Sequence, residues 1–270
     1  MTQPLTGSSW AGAGLNDIDP RLLERGGLQA VIVRDYRGAD TDISPFEDDG
    51  VTVNFSPFAQ DGTIRDDLLA ARLVNGVWTV NPNPNEGFVY VGANAEDGGP
   101  ERNPNTTSDD LFVLQSKFPY DSDITEKGKT ISFTMVDTLK PLVHALENDL
   151  PINDPDTGAL ALKALGAANY FVGSRLDTKT VDRQILMFFA KDVEGLPLYR
   201  VEAVPRCRLD NQDAKNRTKT DPDAVTLDFK VLPDTYFVIP DPDGSGKLVP
   251  GFDGVWIGGP AWDAFAGGGS

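Results

Sequence analysis

Residues 129–150, KTISFTMVDTLKPLVHALENDL, change hydrophobic period partway along, and the fold is read outward from that change. From Lys129 to Val136 the apolar residues Ile131, Phe133 and Met135 occupy every second position, which puts them on one face of a half-buried strand. From Thr138 to Leu150 the spacing becomes that of a helix: Leu139, Leu142, Val143, Leu146 and Leu150 line one face over about three turns. Asp137 or Thr138 stands where an N-cap belongs, Pro141 is tolerated in a first turn, and Pro151 stops the helix. A strand running directly into an amphipathic helix predicts a helix lying on a sheet.

Downstream, Arg183–Ala190 (RQILMFFA) and Leu198–Arg208 (LYRVEAVPRCR) read as two strands of a β-hairpin, with Glu194-Gly195 supplying the turn. Val225–Val231 (VTLDFKV) alternates again, and Tyr236–Ile239 reads as one more strand. Between helix and hairpin, Asn153–Gly158 (NDPDTG) is a turn, and Ala159–Ala168 is rich enough in Ala and Leu to predict a short second helix. Upstream, Leu28–Val33, Val51–Phe55, Gly76–Val80 and Phe88–Val91 are short, β-branched and bounded by turn residues, so each reads as a strand. Leu111–Phe118 is a further apolar run. The acidic stretch 34–50 and the polar, Gly/Pro/Asn-rich stretch 92–110 read as long loops, the second long enough to suggest an element that orders on contact. The predicted fold is mainly β: a β-sandwich or barrel over 28–239 with one flanking helix, an N-terminal arm over 1–27 and a C-terminal extension over 240–270. Trp10 is the large apolar group of the first arm; it either docks elsewhere or tucks onto its own domain. Phe252, Trp256, Trp262 and Phe265 in the extension either pack back on the domain or anchor a neighbouring subunit.

Composition narrows the function. The chain has 270 residues, 40% of them hydrophobic, which is enough apolar material for one sizeable core or two modest ones. Met1–Gly14 is polar and glycine-rich rather than basic and then apolar, so no secretory signal is expected there. The longest strongly apolar run, Ile185–Ala190, is far short of the roughly 20 residues of a membrane-crossing helix, and no membrane partner is expected. A net charge of −17 repels nucleic acid rather than gripping it. With Cys207 the single cysteine and His144 the single histidine, neither an internal disulfide nor a Cys/His zinc site can form.

The chemical constellations are weak. Asp241-x-Asp243-x-Ser245-Gly246 matches the start of a calcium loop, with oxygens at alternate positions around a turning glycine. Position twelve is Phe252 rather than the bidentate Glu such a loop needs, so a DPDG hairpin turn is the expectation. His144 falls at the border of the helix's apolar stripe, which suits a structural or surface role better than service as a base for Cys207. The sequence holds no GxSxG, HExxH, GxGxxG or Walker loop. No catalytic residue, cofactor site or metal site is therefore predicted, and the chain is not expected to be an enzyme.

The stretch from Lys129 to Ser270 resembles the major tail tube protein of long non-contractile-tailed bacteriophages, particularly those infecting actinobacteria. The likeness rests on KTISFTMVDTLKPLVHALENDLP, the hairpin RQILMFFAKDVEGLPLYRVEAVPRCRL, the strand VTLDFKVLPD and the ending DGSGKLVPGFDGVWIGGPAW, within a stretch that covers about half the chain. The resemblance implies a β-sandwich with a flanking helix that forms hexameric rings stacked into a hollow tail tube in the virion, made in the host bacterial cytoplasm. It implies as partners the chain itself, the tape-measure protein, the tail terminator and the tail tip proteins, with viral DNA passing through without specific binding. Six copies would carry about −100, and an acidic lumen lets DNA slide. Within that reading the contacts between copies are expected at the arms and the 92–110 loop: Trp10, Asp97, Arg102, Phe252, Trp256 and Trp262. Competing readings are a tail terminator or decoration protein, and a carbohydrate-binding module or acidic glycosidase.

Overall fold

The computed structural model describes residues 21, 23, 28–75, 77–82, 84–96, 98–112, 114, 117, 118, 120–162, 171–177, 179–213 and 223–267. In chain order these form β1 (Leu28–Asp35), β2 (Ala71–Val74), β3 (Val77–Val80), β4 (Val89–Tyr90), β5 (Glu101–Leu111), β6 (Asp121–Met135) and α1 (Pro141–Glu147). There follow β7 (Arg183–Val193), β8 (Leu196–Gln212), β9 (Val225–Val231), β10 (Val238–Pro240), β11 (Leu248–Pro250), β12 (Gly254–Gly258) and α2 (Pro260–Gly267). Strand accounts for 44% and helix for 9%, so the chain is mainly β, as the patterning predicts.

One sheet organises the molecule. Its strands run in the order β4-β1-β7-β8-β9-β6-β5, all neighbours antiparallel. β12 adds to the first half of β8, along the edge that β9 takes further on. The β7–β8 hairpin closes through Glu194 (φ 55°) and Gly195 (φ 85°), two successive left-handed residues whose twist matches that of the strands. The sheet also curls. Val91 N–H donates to the Val31 carbonyl of β1 at 3.0 Å, while Val136 N–H donates to Ala93 and Ala95 N–H to Thr134, each at 3.0 Å. One segment between β4 and β5 thus bonds to the second and the penultimate strands of the order, drawing the two sides of the sheet together.

Alternation assigns the two faces. Val31, Val33, Ile185, Met187, Ile131, Phe133, Leu227 and Phe229 point into the main core, which Leu142, Val143, Ala145 and Leu146 of α1 join. The interleaved Ile32, Leu186, Phe188, Val201 and Ala203 face the other way and are covered by Ile43, Phe55, Leu68, Phe88 and Phe237. β1, β7 and β8 carry apolar residues on both faces because each face has its own cover there, whereas β6 and β9 alternate apolar with polar.

The structure corrects several expectations. The helix spans Pro141–Glu147 rather than Thr138–Leu150: Lys140, preceding a proline, is extended at ψ 136°, and Asp149 turns left-handed at φ 50°. Neither Asp137 nor Thr138 caps it, and Leu139, expected on the apolar stripe, is 87% exposed. Residues 51–55 make no strand beyond a bridge between Phe46 and Val53, since Asp49 Oδ1 captures the amides of Val51 (2.8 Å) and Thr52 (2.7 Å) in a turn. Residues 159–162 are not helical, and Leu160 bridges back to Asn153 across the predicted NDPDTG turn; 163–168 lie outside the described residues. α2 forms in an extension read from sequence as glycine-rich and irregular, beginning at a proline in the first helical position. The largest correction concerns 92–110. Its second half lies in β5, eleven residues long, and Leu111, Phe112, Leu114 and Phe118 of the apolar run at its end are exposed.

Candidate assembly surface

β5 and β6 pair from Glu101↔Ser132 out to Leu111↔Asp121, with one irregularity at Thr107/Ser108. β9, the other neighbour of β6, pairs only with Thr130–Met135. Between Lys129 and Asp121, therefore, β5 and β6 pair only with each other among the described residues and leave the sheet as a two-stranded ribbon, roughly 26 Å long at 3.3 Å per residue. β5 is a tolerable outer strand despite its polar sequence. Pro104 can sit in it because an edge strand has one side without ladder bonds, and the β-branched residues of β6 supply the template.

The ribbon's base is clasped by charge. Arg102 of β5 and Lys129 of β6 both pair with Asp253, which precedes β12. Arg102 also reaches Glu202 of β8 at 3.3 Å, and Glu202 holds Arg200 at 3.2 Å. Lys129 Nζ lies 5.6 Å from the centre of the Phe252 ring. The ribbon's tip is of opposite character. Leu111, Phe112, Phe118 and Tyr120 are mostly exposed and Leu114 wholly so, with Asp109, Asp110, Asp121 and Asp123 on the strands just behind them. An isolated two-stranded ribbon is marginal in water, and exposed apolar clusters of this kind mark contact sites.

A second feature lies on the outer face near the ribbon's root. Ile32, Ile64, Leu68, Leu69, Tyr90 and Phe188 line an open groove of about 260 Å³, with Arg65 as the charged residue of its wall. Arg65 is held by Asp67 (2.7 Å) and Glu86 (2.8 Å), and its bond to Asp67 keeps that carboxyl below the usual carboxylate range. Arg34, behind the wall, bonds Gln184 at 2.8 Å and Glu86 at 3.1 Å and stacks over Phe88; burial pulls it down to about 10, which leaves it cationic at neutral pH.

Of the residues expected at contacts, Trp10 and Asp97 lie outside the described residues. Arg102 belongs to the clasp and Phe252 packs against the main core. Trp256 packs against the second core, 5.9 Å from Phe55. Trp262 remains 36% exposed on α2, edge-on to Phe265, over which Arg21 lies at 4.7 Å. Among the described residues, then, the extension's aromatics pack mainly on their own domain, and a cluster of exposed apolar side chains sits at the ribbon tip, a set the sequence reading missed. The signal was available: an apolar run between Asp109-Asp110 and Asp121-x-Asp123 is flanked on both sides by charge.

Asp241 and Asp243 form the turn between β10 and β11, with Asp241 Oδ1 accepting from Asp243 N–H at 3.2 Å and Asp243 Oδ1 from Ser245 N–H at 2.7 Å. Among the described residues no group of three His, Cys, Asp or Glu side chains could hold a metal ion. Cys207 is fully buried and donates to the Arg183 carbonyl at 3.5 Å, and burial pushes its thiol well up. His144 lies 3.4 Å from Glu147 on α1. No family model matches the chain, and no curated protein matches its sequence.

Proposed function

We propose that this chain is a structural, self-assembling virion protein: the subunit of a phage tail tube, built of stacked hexameric rings around a channel for viral DNA. The observation that carries self-assembly is the β5–β6 ribbon, which holds five large apolar side chains away from either core. Burying them requires another molecule. The curled sheet with its flanking helix α1 suits the sandwich or barrel that the resemblance implies, and the step from an assembling subunit to a tail tube rests on that resemblance. A charge of −17 per copy keeps free subunits apart until contact surfaces meet at high concentration or on a template. Partners in this reading are further copies of the chain, the tape-measure protein, the terminator and the tip proteins, with DNA passing unbound.

Negative-stain electron microscopy of the purified chain, concentrated at moderate salt, tests the proposal. Rings or hollow rods of uniform diameter are expected; globular particles at every concentration would count against the tube.

A further inference from the structure

The β7–β8 hairpin, β12 and α2 enclose a cleft of about 250 Å³. Phe189, Leu198, Ile257 and Trp262 form its apolar walls, and its charged residues, Lys191 and Arg200, are both cations. Ile257 and Trp262 are partly exposed there. The cleft is smaller than the roughly 300–1,000 Å³ of small-molecule sites and suits one large apolar side chain. The chain before β1 arrives beside it. Leu28 pairs with Ala190, which brings the chain to β7 one residue before Lys191. Lys191 Nζ donates to the Arg21 carbonyl at 2.8 Å and to the Leu23 carbonyl. The Arg21 guanidinium lies 4.7 Å from the centre of the Phe265 ring, which is edge-on to Trp262. Arg21 therefore touches one lining residue of the cleft and is one ring away from another.

We infer that the segment Leu15–Pro20 of this same chain, which lies outside the described residues, straps this cleft, with Ile18 seated between Phe189, Leu198, Ile257 and Trp262. Ile18 is the nearest large apolar residue upstream of Arg21. Three residues span at most about 11 Å, so the anchor at Arg21 holds Ile18 within reach of the cleft. Trp10, eleven residues from Arg21, would close a longer loop to fill the same space, at a greater cost in chain entropy. Charge agrees with the assignment. Ile18 stands between Asp17 and Asp19. Arg200 already holds Glu202 at 3.2 Å, so the carboxylates are matched to Lys191. Its ammonium has three donors, and the two carbonyls it meets among the described residues take two of them, which leaves room for Asp19. The strap ties the segment before β1 to α2 near the other end of the chain. It forms within one copy and does not rest on self-assembly.

The test reads the reactivity of a thiol placed in the cleft. Full-length Ile257→Cys reacts with Ellman's reagent at micromolar protein, while the native Cys207 is buried out of reach. Adding Ile18→Ser is expected to speed the reaction about tenfold or more, because a seated isoleucine is lost. Ile18→Leu should keep the protection to within about twofold, and Trp10→Ser should leave the rate unchanged. Leu198→Cys, on a different strand of the same cleft, should follow the same order, so a disturbed β12 cannot mimic the result. Equal rates with and without Ile18→Ser at both thiols, or a rate that answers to Trp10→Ser instead, would overturn the strap. Protection that grows with protein concentration would give the segment to a neighbouring copy and overturn the single-chain assignment.

Discussion

Asp35 and Arg183 show what single residues contribute to this fold. They face each other across β1 and β7, 6% and 1% exposed, and form a buried ion pair. Asp35 Oδ2 accepts from the backbone N–H groups of Ile152 (2.7 Å) and Asn153 (3.0 Å), while Asn153 Nδ2 donates to the Gly87 carbonyl at 3.0 Å. Arg183 also donates to the Leu150 carbonyl at 2.6 Å. One carboxylate thereby ties β1, β7 and the segment after α1 together. Removing one member strands the other in the core, so Asp35→Ala is expected to cost about 3–5 kcal/mol in urea unfolding. The double replacement Asp35→Ala/Arg183→Met is expected to cost less than the two single losses combined. Titration gives a second expectation at this scale. Lys140 holds the Asp137 carboxyl, and Arg65 the Asp67 carboxyl, below the usual value of 3.8. A depressed carboxyl stabilises the fold above the unfolded value, and that contribution disappears as pH falls through the folded one. Asp149, raised by burial, works in the opposite sense. With Asp49, Asp61 and Asp154 also depressed, the urea midpoint is expected to fall as pH drops below about 4.

At the scale of elements, the β7–β8 hairpin and the β5–β6 ribbon differ in what holds them. The hairpin was legible because two apolar, β-prone runs flank Glu194-Gly195, a turn sequence. A side chain added at Gly195 would touch nothing, but φ 85° disfavours one, so Gly195→Ala is expected to cost about 1–2 kcal/mol through backbone strain alone. The ribbon was not legible in Glu101–Leu111, ERNPNTTSDDL, whose proline, asparagines and aspartates argue against a strand. Pairing with β6 overrode that local preference. Beyond Pro104↔Lys129 the ribbon adds little to either core, so replacing 105–128 with Asn-Gly should leave the urea midpoint nearly unchanged. The same deletion should abolish self-association in sedimentation.

Across the whole molecule, charge sets the terms on which copies meet. Subunits of −17 repel one another at low ionic strength, and the Debye length shortens from about 30 Å at 0.01 M salt to about 8 Å at 0.15 M. Self-association driven by an apolar tip is therefore expected to strengthen with added sodium chloride, read as a rising sedimentation coefficient at fixed protein concentration. An assembly held mainly by ion pairs would weaken instead.

The sequence by itself determined the mainly β class, the β7–β8 hairpin, β9 and the presence of α1, because period and turn chemistry are local and survive in any context. It also determined the charge, which follows from counting. The tertiary structure alone decided which aromatics stay at home and which residues are offered outward. Phe252 and Trp256 look exposed in a glycine-rich tail, yet β12 adds to β8 and carries them onto the two cores. Leu111–Phe118 reads as an apolar run, yet β9 stops short of it and Leu111, Phe112, Leu114 and Phe118 are exposed. Burial depends on how far each neighbour extends, and strand length and register are fixed by pairing between residues far apart in the chain.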